Sequence, residues 1–246
     1  MIGHRGAHAT APENTMAGFQ VAADLGVGFE LDVQLSRCGV AMVIHDETVD
    51  RTTCETGPVS GFTAKQLSRM DAGCRFDPKF INETIPTLLT VLKTFGHLGI
   101  DVEIKTNPGQ DRALIAAAVV HDIIDANMVD DVVVTSFDPI VLGHVRRLNP
   151  SIIRGLIVSD FHNKQLGVTG QLLSRLRWMT RIAGPDMMMM DHRTLTKQTV
   201  ASQHESGRSV FAWTVNTDTE IRSVLALGAD GVITDVPNLA NSIVRK

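Results

Sequence analysis

Short apolar, β-rich runs alternate with helical patterns almost to the end of this chain. The runs that read as strands are Ile2–His4, Gly28–Leu35, Val40–His45, Ile100–Ile104, Val132–Ser136, Ile153–Val158, Asp186–Met190, Val210–Val215 and Gly231–Thr234. Helix signals fall between most of them. Asp138-Pro139 reads as an N-cap followed by proline at the first helical position. Thr63-x-x-Gln66 and Thr217-x-x-Glu220 match capping boxes. Such alternation predicts a parallel sheet with helical crossovers. Nine strands are one too many for an eightfold closure, and the third resolves this. Only Ser36 to Gly39 separates it from the second, whereas a parallel crossover needs about a dozen residues. The pair is therefore expected to form an antiparallel hairpin turning near Cys38-Gly39. Eight parallel strands remain, and their natural closure is a TIM (β/α)8 barrel. An open doubly wound sheet is the alternative, but no G-x-G-x-x-G loop follows any strand.

Polar positions inside the predicted strands carry the chemistry. Side chains alternate across a strand. In Gly28–Leu35, Phe29, Leu31 and Val33 then face the helices, while Glu30 and Asp32 face the barrel interior. In Ile100–Ile104 and the residue after it, Val102 and Ile104 point outward while Asp101, Glu103 and Lys105 point inward. Charges buried there are costly unless paired or bound to metal. A structural Glu–Lys ion pair beside an unrelated acidic pair would also satisfy the pattern. However, the active sites of this fold sit at the C-terminal ends of its strands. His4 and His45 end two further strands on the same expected face, and Arg5 follows His4. His4-x-x-x-His8 has helical ligand spacing, but Gly6 and Pro12 argue against a helix, so His8 is expected in a loop. The remaining six histidines show no ligand spacing.

Composition narrows the partners. The 246 residues are 43% hydrophobic and 20% charged, with a formal net charge of −4, which is ordinary globular composition. No long basic run is present, so a nucleic-acid partner is not expected. Cys38, Cys54 and Cys74 are odd in number and form no C-x-x-C pair. We expect neither a disulfide framework nor a structural zinc site, and a reducing, cytoplasmic setting. We expect no signal peptide, since no positively charged and apolar leader pattern is read before His4, and no apolar run approaches the roughly 20 residues of a membrane span. The segment Glu47–Ile85 is the least regular, rich in Thr, Gly, Asp and Arg, and reads as a short excursion over one barrel mouth. Met187–Met190 reads as a buried strand; soft thioether ligation of copper(I) is the alternative. Leu172–Ile182 reads as a barrel helix with a solvated basic edge, with peripheral membrane contact as the alternative.

Oxygen ligands from Glu30, Asp32 and Glu103 suit one hard divalent cation, Mg2+ or Ca2+, with Mn2+ as a substitute. The charges of these three carboxylates, one such cation, one phosphodiester, Arg5 and Lys105 sum to zero. A closed site with that balance takes a phosphodiester without a large uncompensated desolvation cost. Two histidines suit a reaction that needs a base for the nucleophile and an acid for the leaving alkoxide.

At this point the residues resemble the glycerophosphodiester phosphodiesterase family. The resemblance rests on Gly3-His4-Arg5-Gly6-Ala7, Pro12-Glu13-Asn14-Thr15, Glu30-Leu31-Asp32-Val33 and His45-Asp46 with Arg51-Thr52-Thr53. It continues through Ile85-Pro86-Thr87-Leu88, Glu103-Ile104-Lys105, Ser136-Phe137, Trp213-Thr214-Val215-Asn216 and Gly231-Val232-Ile233-Thr234-Asp235-x-Pro237. It spans essentially the whole chain, 1–246, as one barrel domain. It implies a TIM barrel with His4 and His45 as the acid/base pair, and Glu30, Asp32 and Glu103 as metal ligands. It also implies Arg5 and Lys105 as phosphate contacts, and Phe137 and Trp213 lining the pocket beside glycerol. Pro12-Glu13-Asn14-Thr15 reads as mostly structural, starting the first helix. The implied reaction is hydrolysis of glycerophosphodiesters to sn-glycerol 3-phosphate and an alcohol. A related barrel phosphodiesterase acting on lysophospholipids or phosphoinositides through a cyclic phosphate is one alternative. A phosphate-ligand binding protein is the other. Two departures stand out: the hairpin turn is Ser36-Arg37-Cys38-Gly39 where the family usually has Thr-x-Asp-Gly, and the excursion after His45-Asp46 is short.

Overall fold

The structure, a computed structural model, describes residues 1–159 and 170–244, with no account of the side chains of 170–175. Nine strands occur among the described residues: β1 (Ile2–Gly3), β2 (Gly28–Leu35), β3 (Ala41–Val43), β4 (Ile100–Ile104), β5 (Val132–Ser136), β6 (Ile153–Val158), β7 (Met187–Asp191), β8 (Ser209–Trp213) and β9 (Gly231–Thr234). Eight are parallel. β1 pairs with β2 on one side and with β9 on the other, so the ring β1-β2-β4-β5-β6-β7-β8-β9 closes. β3 lies outside it as the antiparallel partner of β2, with Val33 opposite Val43 and Leu35 opposite Ala41. The expected barrel and hairpin are both present. The hairpin turns through Gly39 at a φ of 76°, a conformation for which glycine carries no Cβ penalty.

The α-helices are α1 (Met16–Asp24), α2 (Ala64–Leu67), α3 (Leu88–Phe95), α4 (Arg112–Asp125), α5 (Pro139–Leu148), α6 (Gly170–Ala183), α7 (Lys197–Glu205), α8 (Asp218–Ala226) and α9 (Pro237–Val244). Their starts are chemically marked. Asp138 accepts from the Ile140 amide, with Pro139 opening α5. Thr63 with Gln66 and Thr217 with Glu220 form reciprocal capping boxes, satisfying amides that the helix leaves without partners.

The alternation expected of β2 decides the packing. Phe29, Leu31 and Val33 point away from the barrel axis into the main core, together with Phe19 of α1 and Leu88, Leu92 and Phe95 of α3. Phe19 and Phe29 stack at 4.4 Å, and Phe95 meets both edge-on at 6.2 and 5.4 Å. Such ring pairs add about 0.5–1.5 kcal/mol each beyond the area they bury. The methionine strand behaves in the same way: Met188 and Met190 face the helices, while Met189 joins Ile157 and Ile233 inside the barrel. Met187–Met190 is thus core, as expected. In α6, Leu176 and Met179 pack against the main core; Leu172, Leu173 and Arg175 lie among the side chains not described.

The excursion between β3 and α3 folds around a small core of its own, made of Met42, Ile44, Val49, Val59, Leu67, Met70, Ala72 and Ile85. It also corrects the reading of the cysteines. Cys54 and Cys74 form a disulfide, their Cα atoms 6.6 Å apart at a sequence separation of 20; Cys38 is free and exposed. The spacing contains no motif for this pair, because the satellite core is what brings the two segments together. The argument for a reducing compartment, which rested on unpaired thiols, loses its basis. No helix among the described residues is long and apolar enough to cross a membrane.

Candidate active site

The register between β2 and β4 sets Glu30 beside Asp101 and Asp32 beside Glu103. Glu30, Asp32 and Glu103 each offer an oxygen, all within 4.8 Å of one another. Two cations hold the cluster. Lys105 donates to Glu103 Oε1 at 2.8 Å and lies 3.3 Å from Asp32 Oδ1. Arg5 Nε lies 3.2 Å from Asp32 Oδ2. Asn14 completes the hold on Asp32: its Nδ2 donates to Oδ2 at 2.8 Å, and its Oδ1 accepts the Asp32 amide at 3.2 Å. Two buried acceptors in the cluster, Glu30 Oε1 and Asp32 Oδ1, make no hydrogen bond among the described residues.

Reaching Glu30 strains the backbone. Arg5 adopts φ 49° and Gly6 φ 92° in the turn after β1. A Cβ on Gly6 would sit 2.6 Å from the Gly18 carbonyl carbon, so that position requires glycine. An arginine in the left-handed region costs about 1–3 kcal/mol. The turn brings the Arg5 amide onto Glu30 Oε2 at 2.8 Å.

The carboxylates do not titrate alike. Burial pushes Glu30 well above its usual range, reinforced by Asp32, Glu103 and Asp101. Burial also raises Glu103, helped by Asp32 and opposed by Lys105. Burial disfavours ionised Asp32 as well, but Lys105, Arg5, His45 and the Asn14 hydrogen bond outweigh it and hold Asp32 low. Beneath them Asp101 is pushed up to about 8 by burial, against a hydrogen bond from Thr135 Oγ1 at 2.7 Å. The cluster as a whole is short of positive charge.

Both histidines expected at strand ends reach the same cavity, and each is held by an aspartate. His4 Nδ1 bonds Asp235 Oδ1 at 2.6 Å, and His45 Nδ1 bonds Asp46 Oδ1 at 2.6 Å. The Arg51 hydrogen bond holds Asp46 at about 2, with His45 adding to it. Asp235 is held below its usual range despite burial, by His4 and Asn216. An ionised carboxylate only accepts hydrogen bonds. Each Nδ1 is therefore a donor, which leaves each Nε2 as the ring nitrogen not committed to an aspartate. Burial keeps the His45 ring below its usual value.

A second network backs the histidines. Glu13 accepts from Arg5 at 2.9 Å and from two nitrogens of Arg51 at 2.7 Å. Arg51 also donates to Asp46 at 2.6 and 3.0 Å. One ionic chain thus runs from Arg5 through Glu13, Arg51 and Asp46 to His45.

The cavity measures about 190 Å3, and its walls include His4, Arg5, Glu30, His45, Glu103, Lys105, Phe137 and Trp213. All the site residues expected from sequence line it except Asp32, which lies behind the wall at 1% exposure. Phe137 and Trp213 meet edge-on at 5.7 Å. The Trp213 indole N–H is buried without an acceptor among the described residues. The volume falls below the roughly 300–1,000 Å3 of sites for drug-sized ligands, as suits a small polar molecule. Sequence reasoning passed over four supports: Asp46, Asp235, Asn14 and the Glu13–Arg51 pair. Asp46 adjoins its histidine, which was a usable signal. Asp235 stands 231 residues from His4, and only closure of the ring joins them. His8 is the loop residue expected, 3.5 Å from Glu13.

Comparison with known proteins now bears on this arrangement. The glycerophosphoryl diester phosphodiesterase family matches residues 4–239. The chain belongs to that family. It is 35% identical to a glycerophosphodiester phosphodiesterase of Caldanaerobacter subterraneus subsp. tengcongensis, over 100% of this chain and 98% of the relative. A Bacillus subtilis glycerophosphodiester phosphodiesterase is 30% identical over 99% of this chain and 86% of its own. Among solved structures, an Oleispira antarctica phosphodiesterase in complex with the product sn-glycerol-3-phosphate superposes with a TM-score of 0.88. It is 27% identical, covering 100% of this chain and 96% of that one.

Proposed function

We propose that this member of the family hydrolyses glycerophosphodiesters to sn-glycerol 3-phosphate and a free alcohol, the whole chain acting as one barrel domain. The observation that carries the reading is the convergence of two aspartate-held histidines and three clustered carboxylates on one small cavity. The Oleispira antarctica neighbour holds sn-glycerol-3-phosphate, which supports a glycerol phosphate as the common half of the substrate.

The donor set fits one hard divalent cation, Mg2+, Ca2+ or Mn2+. It consists of oxygens only, and Glu30 Oε1 and Asp32 Oδ1 are buried acceptors that make no hydrogen bond among the described residues. Glu30, Asp32 and Glu103 would hold the ion, which when bound supplies Lewis-acid polarisation of a phosphoryl oxygen. The rest of the chemistry lies with the chain's own groups. Arg5 and Lys105 are held at the pocket wall by carboxylates and present positive charge to the phosphate. The Phe137–Trp213 corner gives the glycerol carbons an apolar wall, and the Trp213 N–H offers a donor to a substrate oxygen. One imidazole, neutral at the start, takes the nucleophile's proton on Nε2; the other, entering as imidazolium, gives its Nε2 proton to the leaving alkoxide. The paired aspartates fix the ring tautomers and stabilise the imidazolium that forms.

The test is incubation with glycerophosphocholine, with and without EDTA, assaying glycerol 3-phosphate. Product with added Mg2+, Ca2+ or Mn2+, and loss of it with EDTA, is the expected result. No product with any of the three would overturn the reading. A cyclic phosphate persisting in the phosphorus NMR spectrum would replace it with the cyclising alternative.

A further inference from the structure

The catalytic cavity has two unlike sides. Phe137 and Trp213 form the apolar one. Arg5 of its wall is bonded through Glu13 to Arg51, and Glu13 and Arg51 line a second cavity of about 180 Å3 whose lining also includes His8, Thr52, Arg75 and Phe76. His4 in the wall of the first cavity and His8 in the wall of the second also meet edge-on, their ring centroids 6.5 Å apart. A phosphodiester has two arms. With glycerol against the aromatic side, the alcohol arm needs a site of its own.

The charge of that cavity is specific. Its lining carries two guanidinium groups against one carboxylate. Arg51 is engaged, its donors spent on Glu13 and Asp46. Arg75 is not. Its Nε donates to the Thr53 carbonyl, and its two terminal amino groups have no partner among the described residues. Arg75 is exposed yet well anchored. Its neighbour Cys74 is bonded to Cys54, next to the Thr53 that receives its Nε. The turn before it is pinned by Asp71, whose Oδ1 accepts the Gly73 and Cys74 amides at 2.9 and 2.8 Å. Fixed at its base, with a planar pair of donors free, the group suits a second anion.

We propose that this second cavity is the alcohol subsite and that Arg75 selects substrates whose alcohol carries a carboxylate or a phosphate. The proposal rests on the hydrolytic reading above. Glycerophosphoserine and glycerophosphoethanolamine test it, because they differ only by a carboxylate. The wild type should show a kcat/KM ratio of about ten or more in favour of the serine ester, a discrimination of about 1.4 kcal/mol. Arg75→Gln should bring the ratio close to one, through a higher KM for the serine ester, with an unchanged melting temperature. Arg75→Lys, which keeps the charge but loses the fork, should retain part of the preference. A wild-type ratio near one, or a preference that survives Arg75→Gln, would overturn the proposal. If neither ester is cleaved, the hydrolytic reading fails, and calorimetric titration of the two esters into wild type and Arg75→Gln still decides whether Arg75 recognises the carboxylate.

Discussion

At the residue scale the site is a set of held side chains. His4 and His45 each have one ring nitrogen committed to an aspartate, which leaves Nε2 for the proposed proton transfer. Replacing either ring by alanine removes a proposed proton-transfer group, and kcat should fall at least about a hundredfold; near-wild-type turnover in either variant would remove it from the proposed pair. Asp46 allows a test that needs no substrate. Its folded-state value is lowered from 3.8 to about 2 by Arg51 and His45. A depressed carboxylate stabilises the fold above its unfolded value, and that stability disappears as pH falls through the folded value. Melting temperature should therefore drop between pH 4 and pH 2 in the wild type. In Asp46→Asn, which cannot titrate there, the drop should be smaller and the starting stability at pH 6 lower. Equal slopes for the two proteins would show that Asp46 is not held by this network.

The same scale shows what single positions disclose. Glu30 and Asp32, two apart on one strand, announce a shared face, and the structure agrees. Asn14 carries no such signal. Its two hydrogen bonds to Asp32 depend on a left-handed φ of 56° and on where the loop after β1 comes to rest. A motif that read as mostly structural thus supplies contacts to the carboxylate cluster and, through Glu13, to Arg5.

At the scale of elements, strands and their order were largely legible. The bounds of β2, β4, β5, β6 and β9 coincide with the apolar runs, because continuous apolar runs end where polar turn residues begin. The separation of the second apolar run from the third by only Ser36 to Gly39 was enough to require a hairpin. The excursion was less legible, since its eight-residue core is scattered from Met42 to Ile85 with no period. Its disulfide is the clearest miss. Cross-linking two positions 20 apart restricts the unfolded chain by about 3 kcal/mol on the loop-entropy account. The Cys54→Ser/Cys74→Ser double variant should lose about that much in urea unfolding. An unchanged midpoint would mean that the satellite core alone holds the segment.

At the scale of the whole molecule, barrel closure concentrates charge. Eight strands deliver their C-terminal ends to one mouth, where Glu30, Asp101 and Glu103 are each pushed upward by burial. A cation that binds only this folded cluster stabilises the protein by mass action, about 2.7 kcal/mol at a hundred times its Kd. For a chain of this size that raises the melting temperature by about 5–10 °C. Glu30→Gln should weaken the rise, and EDTA should reverse it in the wild type. No rise with Mg2+, Ca2+ or Mn2+ would count against a cation at these residues.

The sequence by itself determined the eightfold barrel, its extra hairpin strand, and the inward set of Glu30, Asp32, Glu103 and Lys105. Strand alternation and crossover length are local properties, and they are written in neighbouring residues. Only the tertiary structure decided which aspartate holds His4, that Asn14 holds Asp32, that Cys54 meets Cys74, and that Arg75 lines the second cavity with its terminal amino groups unpartnered among the described residues. Those pairings join segments that no period or spacing relates. They arise from ring closure and from the packing of one small core, which exist only once the chain has folded.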